Sequence, residues 1–338
     1  MNLISTTPEL EALCAELASC PYITVDTEFL RESTFWPILC LIQTAGHGVE
    51  GMIDPLAEDI DLQPFYDLMV NPNVLKVMHG CRQDVEIFHH LAGIIPAPLF
   101  DTQIAAMVCG FGDAVGYETL IRQTVGGNVD KASRFTDWSR RPLSDAQLTY
   151  ALSDVTHLRD AYEFLEAALD KNGRRSWLEE ESNLLSDPEV YLQRPENAWR
   201  RLRMQDRRPK VLGVLIEVAK WRDTEAQTLL EAIALGRNKK PEDLPDVPPA
   251  VVNRPGIGPL VELLKVLLKQ RSEETQVAPK LIANVADLER MASDAEPDVP
   301  AMSGWRREIF GQYALDLKQG RLALASENDA VILVTRDA

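Results

Sequence analysis

The 338-residue chain lacks a long hydrophobic run, a leader-like start and any cysteine pair at CxxC spacing. Its apolar stretches are much shorter than the roughly 20 residues that cross a bilayer, and Met1–Ser5 contains no basic residue. The five cysteines are odd in number, which argues against a disulfide framework, and without a CxxC pair they do not suggest a zinc site. We expect a soluble, cytoplasmic protein with reduced thiols.

Two further absences narrow the chemistry. Gly126-Gly127 is not followed by Gly-Lys-Ser/Thr, so it predicts a turn rather than a phosphate loop, and no Gly-x-Ser-x-Gly marks a nucleophilic serine. The net charge of −17 argues against a protein that coats nucleic acid. It leaves room for an enzyme that holds a nucleic-acid end through metal ions and a local basic patch. Basic residues concentrate at Arg200, Arg201, Arg203, Arg207, Arg208 and Lys210, and more weakly at Arg306, Arg307, Lys318 and Arg321.

What the chain does contain is a spaced set of acidic side chains. Asp26 and Glu28 follow a β-branched run, and the period-two alternation of a strand places both on one face. Tyr150 and Asp154 lie one turn apart on one face of a predicted helix, and Asp84 lies between these two motifs. Carboxylates brought together repel each other unless a cation neutralises them. Hard oxygen ligands of this kind suit Mg²⁺ or Mn²⁺.

Each motif also has a plain structural interpretation. Asp26 and Glu28 could be a strand end that faces solvent, and Asp84 could be an acid favoured by the dipole at a helix N-terminus. Tyr150 and Asp154 could be an ordinary surface pair. The separate motifs therefore do not decide the function.

Apolar runs between turn-forming residues predict an α/β first half. Strands are predicted at Tyr22–Thr27, Ile38–Thr44, Val49–Ile53, Val74–Met78 and Leu99–Asp101. Helices between and after them indicate a mixed sheet with helices on its faces. The charged stretch 174–206 is predicted to be helical, six prolines in 241–259 predict a linker or extended wrap, and Ala330–Val334 is a short β-like run.

The local sequence around these motifs resembles ribonuclease D, a tyrosine-type DEDD 3′–5′ exonuclease family. Val25-Asp26-Thr27-Glu28-Phe29 with Leu41-Ile42-Gln43-Thr44 is similar to its first motif, and His79-Gly80-Cys81-Arg82-Gln83-Asp84 to its second. Asp137-Trp138-Ser139-Arg140-Arg141-Pro142-Leu143 matches an intervening segment, and Tyr150-Ala151-Leu152-Ser153-Asp154 the third motif. The resemblance implies a ribonuclease-H-like fold with a mixed five-stranded sheet and flanking helices, followed by an all-α HRDC-like region.

The second half resembles the family with one departure. Residues 259–322 are similar to the second of its small helical HRDC domains. Lys220–Gln227 and Thr228–Lys239 resemble the opening and closing helices of the first, but the helices expected between them are missing near Gln227–Thr228. Either the first repeat is shortened or the sequence lacks a disordered piece of it. The predicted boundaries are an exonuclease domain at 1–172, a connector at 173–210, the shortened repeat with its linker at 211–258, the second repeat at 259–322 and a tail at 323–338.

The resemblance implies a role for particular residues. Asp26, Glu28, Asp84 and Asp154 would hold two divalent ions, Mg²⁺ or Mn²⁺, which at about 4 Å apart can stabilise the attacking and the leaving oxygen. Tyr150 would orient the attacking water, because a phenol with a pKa near 10 is a poor base. Possible substrate contacts are Phe29, Gln43, His79, Lys131 and Arg141. For these the alternatives stay open: Phe29, Gln43 and His79 as packed side chains, and Lys131 and Arg141 as solvated loop charges.

The function implied is that of a 3′–5′ exoribonuclease that releases 5′-mononucleotides, with tRNA precursors carrying 3′ extensions as substrates. A monomer with no obligate protein partner is the family expectation, and the helical region would help to grip structured RNA. Two alternatives remain. One is a 3′–5′ exodeoxyribonuclease on the same fold, and the other is a catalytically silent RNA-binding protein.

Overall fold

A mixed β-sheet organises the first half of the chain. The structure, a computed structural model, describes residues 3–31, 36–127, 136–192, 195–202, 208–224, 229–244 and 256–336. The strands are β1 (Leu3–Ile4), β2 (Tyr22–Leu30), β3 (Ile38–Gly46), β4 (Val49–Ile53), β5 (Leu75–Met78) and β6 (Leu99–Asp101). Their order across the sheet is β1-β4-β3-β2-β5-β6. The two pairings of β3 are antiparallel and the other three are parallel, so the sheet is mixed as predicted.

Among the described residues the sheet has six strands rather than the predicted five. The additional strand, β1, is two residues long and pairs in parallel with Met52 and Ile53 of β4. A two-residue segment contains no hydrophobic period, so its strand character depends on the neighbour that it pairs with. The five strands predicted from the sequence are all present, and β2 and β3 extend beyond their predicted ends.

Helices cover both faces of this sheet. They are α1 (Thr7–Leu17), α2 (Gln63–Met69), α3 (Arg82–Ala92), α4 (Thr102–Val108), α5 (Tyr117–Thr124), α6 (Asp145–Asn172) and α7 (Arg175–Leu185). The longest, α6, begins with a capping box between Ser144 and Gln147 and ends at Gly173, whose φ of 65° is readily adopted only by glycine. Its buried residues Leu158 and Leu165 belong to a core that it shares with β5, β6, α4, α5 and α7. This packing holds α6 against the sheet.

The predicted helical stretch 174–206 is only partly helical. The helix α7 ends at Leu185, and short 3₁₀ turns follow at Pro188–Val190 and Pro195–Arg201. Each turn begins with a proline, which has no N–H to continue a helical ladder. The charge pattern alone could not show this interruption.

The remaining helices are short, except for those at Pro209–Thr224 and Ile257–Thr275. They are α8 (Pro209–Thr224), α9 (Leu229–Asn238), α10 (Ile257–Thr275), α11 (Pro279–Ile282), α12 (Val285–Ser293), α13 (Gly304–Arg306) and α14 (Gln312–Lys318), with 3₁₀ turns at Pro241–Asp243 and Pro300–Met302 and a π-helical segment at Arg307–Gly311. The chain then forms an antiparallel hairpin of β7 (Leu322–Glu327) and β8 (Ala330–Thr335). The second half is therefore not entirely helical, and the predicted tail is mostly hairpin.

The chain divides into two compact units, one of Met1–Asp187 with Asn253–Ala338 and one of Pro188–Val252. Within the first unit the C-terminal helices pack on the sheet domain, where Trp177 and Trp305 stack with ring centres 4.6 Å apart. The second unit has its own small core around Ala198, Trp199 and Leu212. No helix in the described part of the chain has the length and apolarity needed to cross a membrane. The domain boundaries stay predictions.

Several of the sequence expectations fall outside the described ranges. The join near Gln227–Thr228 and most of the proline-rich linker belong to them, as do Lys131 and two of the basic residues, Arg203 and Arg207. Only four residues separate the end of α8 from the start of α9, which agrees with the prediction that the first repeat is short of its middle helices.

Candidate active site

Two carboxylates of the candidate site come from the interior strand β2. Asp26 and Glu28 pair with Gln43 and Leu41 of β3, and their spacing of two residues puts both on the same face of the sheet. The pairing changes register between Glu28 and Phe29. Such irregularities redirect side chains and are common next to active sites. The sequence prediction that these two carboxylates share a face agrees with this register.

The third carboxylate comes from α6. Asp154 is only 6% exposed, and ligand oxygens of Asp26, Glu28 and Asp154 all lie within 4.8 Å of one another. Tyr150, one turn earlier on the same helix, forms a side-chain hydrogen bond with Asp154. Burial, followed by the charges of Asp154 and Glu28, raises the pKa of Tyr150 above its usual range. Its phenol therefore stays protonated and acts as a donor.

The fourth carboxylate, Asp84, lies beside this group of three rather than within it. It is in the first turn of α3, is 8% exposed and accepts a hydrogen bond from the hydroxyl of Thr27, between Asp26 and Glu28 on β2. Burial and the charge of Asp26 raise the pKa of Asp84 to about 8, although the Thr27 bond acts in the opposite direction. Asp84 is thus tied to the same strand that carries the first two carboxylates.

Two of the four candidate carboxylates, Asp26 and Asp84, have raised pKa values. Burial raises the pKa of Asp26 to about 6, even though the amide of Gln43 donates to its Oδ2 at 3.0 Å. A nearby positive charge, such as a metal ion, stabilises the ionised form of a buried carboxylate. Three carboxylates with converging oxygens are the donor set that Mg²⁺ and Mn²⁺ prefer, so these residues fit a divalent cation.

The predicted substrate contacts are placed differently from one another. Gln43 is fully buried and bonds to Asp26, so its amide orients a carboxylate of the group. His79 shares a hydrogen bond with the hydroxyl of Thr102 and packs edge-on against Tyr117, and its burial lowers its pKa. Phe29 is half-buried next to the register change. The packed alternatives considered for Gln43 and His79 fit these contacts well.

Arg141 makes an extensive set of bonds inside the protein. Its Nε and Nη2 donate to the two oxygens of Asp54 at 2.7 and 2.6 Å. The remaining N–H groups reach the carbonyls of Cys40, Trp138 and Arg140. A guanidinium has five N–H donors, and these contacts use all five. Arg141 thereby ties the segment before α6 to β3 and to the end of β4.

Other residues around the site were not predicted. The phenol of Tyr117 donates to the backbone carbonyl of Asp154 at 2.5 Å, and the hydroxyl of Thr24 donates to that of Val155 at 2.8 Å. Both bonds join residues far apart in sequence, so no local pattern indicates them. Asp101 accepts from the N–H groups of Gly80 and Cys81, just before α3, while capping α4. An aspartate at the start of a helix predicts the cap of α4. No local pattern predicts the bonds of Asp101 to the Gly80–Cys81 loop.

Comparison with known proteins identifies the family. Residues 1–170 match a 3′–5′ exonuclease domain family. Ribonuclease D of Nitrobacter hamburgensis is 46% identical over 99% of this chain and all of that protein, and ribonuclease D of Granulibacter bethesdensis is 45% identical over 99% of this chain and 96% of that protein. The crystal structure of Escherichia coli RNase D, an exoribonuclease involved in structured RNA processing, superposes with a TM-score of 0.76 at 25% identity, over 95% of this chain and 99% of that one.

One detail of the comparison concerns the shortened repeat. The alignment with the Nitrobacter protein runs over 382 residues, more than the 338 of this chain. That relative therefore has residues without a counterpart here, as the missing helices of the first repeat predict, although the position near Gln227–Thr228 stays a prediction. With the family match covering the whole sheet domain and the relatives covering nearly the whole chain, this protein belongs to the ribonuclease D family of metal-dependent 3′–5′ exonucleases.

Proposed function

We propose that this chain removes nucleotides one at a time from the 3′ end of RNA, releases 5′-mononucleotides and trims the 3′ extensions of tRNA precursors. The observation that carries the proposal is the convergence of Asp26, Glu28 and Asp154, with Tyr150 bonded to Asp154, inside a 3′–5′ exonuclease domain. RNA as the substrate is supported by the ribonuclease D relatives and by the description of the E. coli enzyme as an exoribonuclease.

Four carboxylates would serve as the metal ligands. Two Mg²⁺ or Mn²⁺ ions held by Asp26, Glu28, Asp84 and Asp154 would supply positive charge to the attacking and leaving oxygens of the phosphodiester. The side chains around them fix the ligands: Gln43 holds Asp26, and Thr27 holds Asp84. Bonds of this kind orient metal ligands and tune their affinity.

Tyr150 would position the attacking water. Its pKa is raised by burial and by Asp154, so the phenol is a hydrogen-bond donor and acceptor rather than a base. Phe29, directly after Glu28, is suited to stacking on the terminal base, as aromatic side chains do for single strands. Lys131 is proposed to contact phosphate. For Arg141 the bonds to Asp54 and to three carbonyls favour a structural role over a phosphate contact.

The test is a degradation time course with 5′-labelled substrates. A tRNA precursor with a short 3′ tail and a DNA of the same sequence are incubated with Mg²⁺, with Mn²⁺ or with chelator. We expect a metal-dependent ladder that shortens the RNA from its 3′ end and spares the DNA. Asp26→Asn, purified in parallel, should leave the RNA intact, which would exclude a contaminating nuclease.

The other outcomes separate the alternatives. Equal shortening of the DNA would make the protein an exodeoxyribonuclease or a general exonuclease. A protein that binds the RNA but does not cleave it in Mg²⁺ or in Mn²⁺ would be a silent RNA-binding protein. Cleavage that Asp26→Asn does not reduce would refute the ligand assignment.

A further inference from the structure

One turn of α6 is held by side chains from two other elements. The phenol of Tyr117, at the start of α5, donates to the carbonyl of Asp154 at 2.5 Å and lies 3.3 Å from the carbonyl of Ser153. The hydroxyl of Thr24, on β2, donates to the carbonyl of Val155 at 2.8 Å. The carbonyls of Asp154 and Val155 therefore each accept a side-chain hydroxyl in addition to their place in the helix, and the carbonyl of Ser153 lies close to the Tyr117 hydroxyl.

Thr24 connects this turn directly to the strand that carries the other carboxylates. It lies two residues before Asp26, is fully buried, and is also 3.1 Å from the carbonyl of Ala45 on β3. A single hydroxyl thus lies between β2, β3 and α6. Because Thr24, Asp26 and Glu28 alternate along one strand, all three face α6.

Hydrogen bonds fix this contact more tightly than apolar packing does. The buried side chains below the site, such as Leu158 and Ala161, resist separation of α6 from the sheet. Dispersion contacts have no preferred direction, so they allow small shifts of a helix along its axis. Hydroxyl-to-carbonyl bonds weaken steeply when their length or angle changes. A metal site needs its ligands held to within about half an ångström.

We propose that Tyr117 and Thr24 are positioning residues that set the separation between the β2 carboxylates and Asp154. Tyr117 holds the turn from the α5 side and Thr24 holds it from the strand. Neither side chain supplies an oxygen to the acidic group itself. The effect on turnover rests on the proposed function, but the effect on metal binding does not.

The experiment uses substitutions that remove only a hydroxyl or exchange it for a methyl group. Tyr117→Phe and Thr24→Val delete the two bonds, and Thr24→Ser keeps the hydroxyl. Tyr22→Phe is the matched control, because its phenol also joins β2 to α6, at Glu163. Glu163 is nine residues beyond Asp154, or about 13 Å along the helix, so this bond lies away from the acidic group.

Two experiments are carried out on each full-length variant, a metal titration and a kinetic assay. The first gives the Mn²⁺ concentration at half of the metal-induced rise in Tm, and the second gives kcat and KM on the RNA substrate. Loss of residues that orient metal ligands typically costs 10- to 100-fold in metal affinity or activity. We expect Tyr117→Phe and Thr24→Val to raise the half-saturating Mn²⁺ at least tenfold and to lower kcat at least tenfold, with KM within twofold. Thr24→Ser and Tyr22→Phe should resemble the wild type.

The outcomes decide the proposal in each case. Wild-type Mn²⁺ affinity in both Tyr117→Phe and Thr24→Val would overturn it, as would an equal loss in Tyr22→Phe. If Tyr117→Phe does not fold, the comparison of Thr24→Val with Thr24→Ser carries the test. An inactive wild type that still binds Mn²⁺ would defeat the proposed function and leave the metal titration as the deciding result, whereas a wild type that binds no Mn²⁺ would overturn both.

Discussion

At the scale of single residues, the site is a group of like charges held together by the fold. The interior strand β2 and the helix α6 bring Asp26, Glu28 and Asp154 into contact distance, and Thr27 ties Asp84 to the same strand. Burial makes the ionised forms of Asp26 and Asp84 less favourable, the charge of Asp26 adds to this effect at Asp84, and this is why their pKa values are raised. A protein that holds such a group without a cation gives up stability at neutral pH, and binding of a cation there would restore that stability.

The pH dependence of the metal-free protein follows from these shifts. The ordinary pKa of an aspartate is 3.8, and folding raises it to about 6 for Asp26 and about 8 for Asp84. The folded state therefore binds more protons than the unfolded state between about pH 4 and pH 8, so stability falls as pH rises through this range. We expect the Tm in chelator to be lower at pH 8 than at pH 5.5, and saturating Mg²⁺ to raise it more at pH 8.

Asp84→Asn tests the cause of this dependence. The neutral amide removes one buried charge, so the variant should be more stable than the wild type in chelator at pH 8 and should gain less from Mg²⁺. Asp160→Asn, at an exposed position of α6, is the control and should leave both Tm values unchanged. A wild type whose Tm in chelator does not fall between pH 5.5 and pH 8 would contradict the raised pKa values.

At the scale of elements, strands with strong apolar runs were predictable and those that depend on a neighbour were not. The predicted strands Ile38–Thr44 and Val49–Ile53 contain β-branched or large apolar residues beside glycines or polar turns, and both are confirmed, the first with two further residues at its end. The strands β1 and β7 were missed, because β1 is too short for a period and β7 is rich in leucine and alanine, which also suit a helix.

The site divides in the same way. Asp26 with Glu28, and Tyr150 with Asp154, are local pairs, so the periods of strand and helix predicted their shared faces. Tyr117, Thr24 and Arg141 act through bonds to backbone carbonyls or to a distant carboxylate, and sequence spacing carries no signal for such partners.

The weaker basic cluster, Arg306 with Arg307, Lys318 and Arg321, resembles a binding surface in the sequence, but three of its four side chains make bonds within the protein. Arg306 is 8% exposed and bonds to Glu180, Glu181 and the carbonyl of Leu281. Lys318 donates to the carbonyls of Met291 and Asp294, and Arg321 pairs with Asp316. Arg306 thus holds the C-terminal helices onto α7, Lys318 joins α14 to the end of α12, and Arg321 makes a local pair at the end of α14.

The ion pair of Arg306 should be costly to break from one side. Glu181 is itself 6% exposed, and burial raises its pKa even with Arg306 beside it, so removing the arginine would leave a buried carboxylate without its partner. We expect Arg306→Ala to lower the free energy of unfolding by about 3–5 kcal/mol in urea titrations.

The control for that prediction is Arg321→Ala. The pair of Arg321 with Asp316 is partly exposed, with side chains 52% and 28% accessible, so its loss should cost less than about 1 kcal/mol. Similar losses in both variants would mean that the burial of Arg306 and Glu181 does not set the strength of the pair.

At the scale of the whole molecule, charge is unevenly distributed. The chain has 35 Lys and Arg against 52 Asp and Glu, yet residues 188–252 contain 12 basic and 10 acidic residues. The negative charge is therefore carried by the rest of the chain, which repels a polyanion. A substrate of RNA would gain its electrostatic affinity from divalent ions and from the basic unit.

Two exposed cations of that unit give a direct test. Arg200 and Lys210 are exposed, and Arg200→Ala with Lys210→Ala removes two positive charges from the predicted basic stretch. If both contact phosphates, the double variant should bind the RNA substrate more weakly. The slope of log K against log salt should become shallower by about 0.7 per contact for a single strand. The value of kcat at saturating RNA should stay within twofold of the wild type, because the substitutions leave the acidic group intact.

The matched control removes the same charge from another part of the surface. Lys265 and Lys269 are 42% and 78% exposed on α10, where they face Glu262 and Glu273, and their double alanine variant changes the net charge equally. If attraction to RNA depends on local contacts, only Arg200→Ala with Lys210→Ala changes the salt slope. If it depends on the total charge, both double variants weaken binding alike, and the basic stretch has no special role. Because counterion release counts contacts with phosphate rather than net charge, we expect the first result.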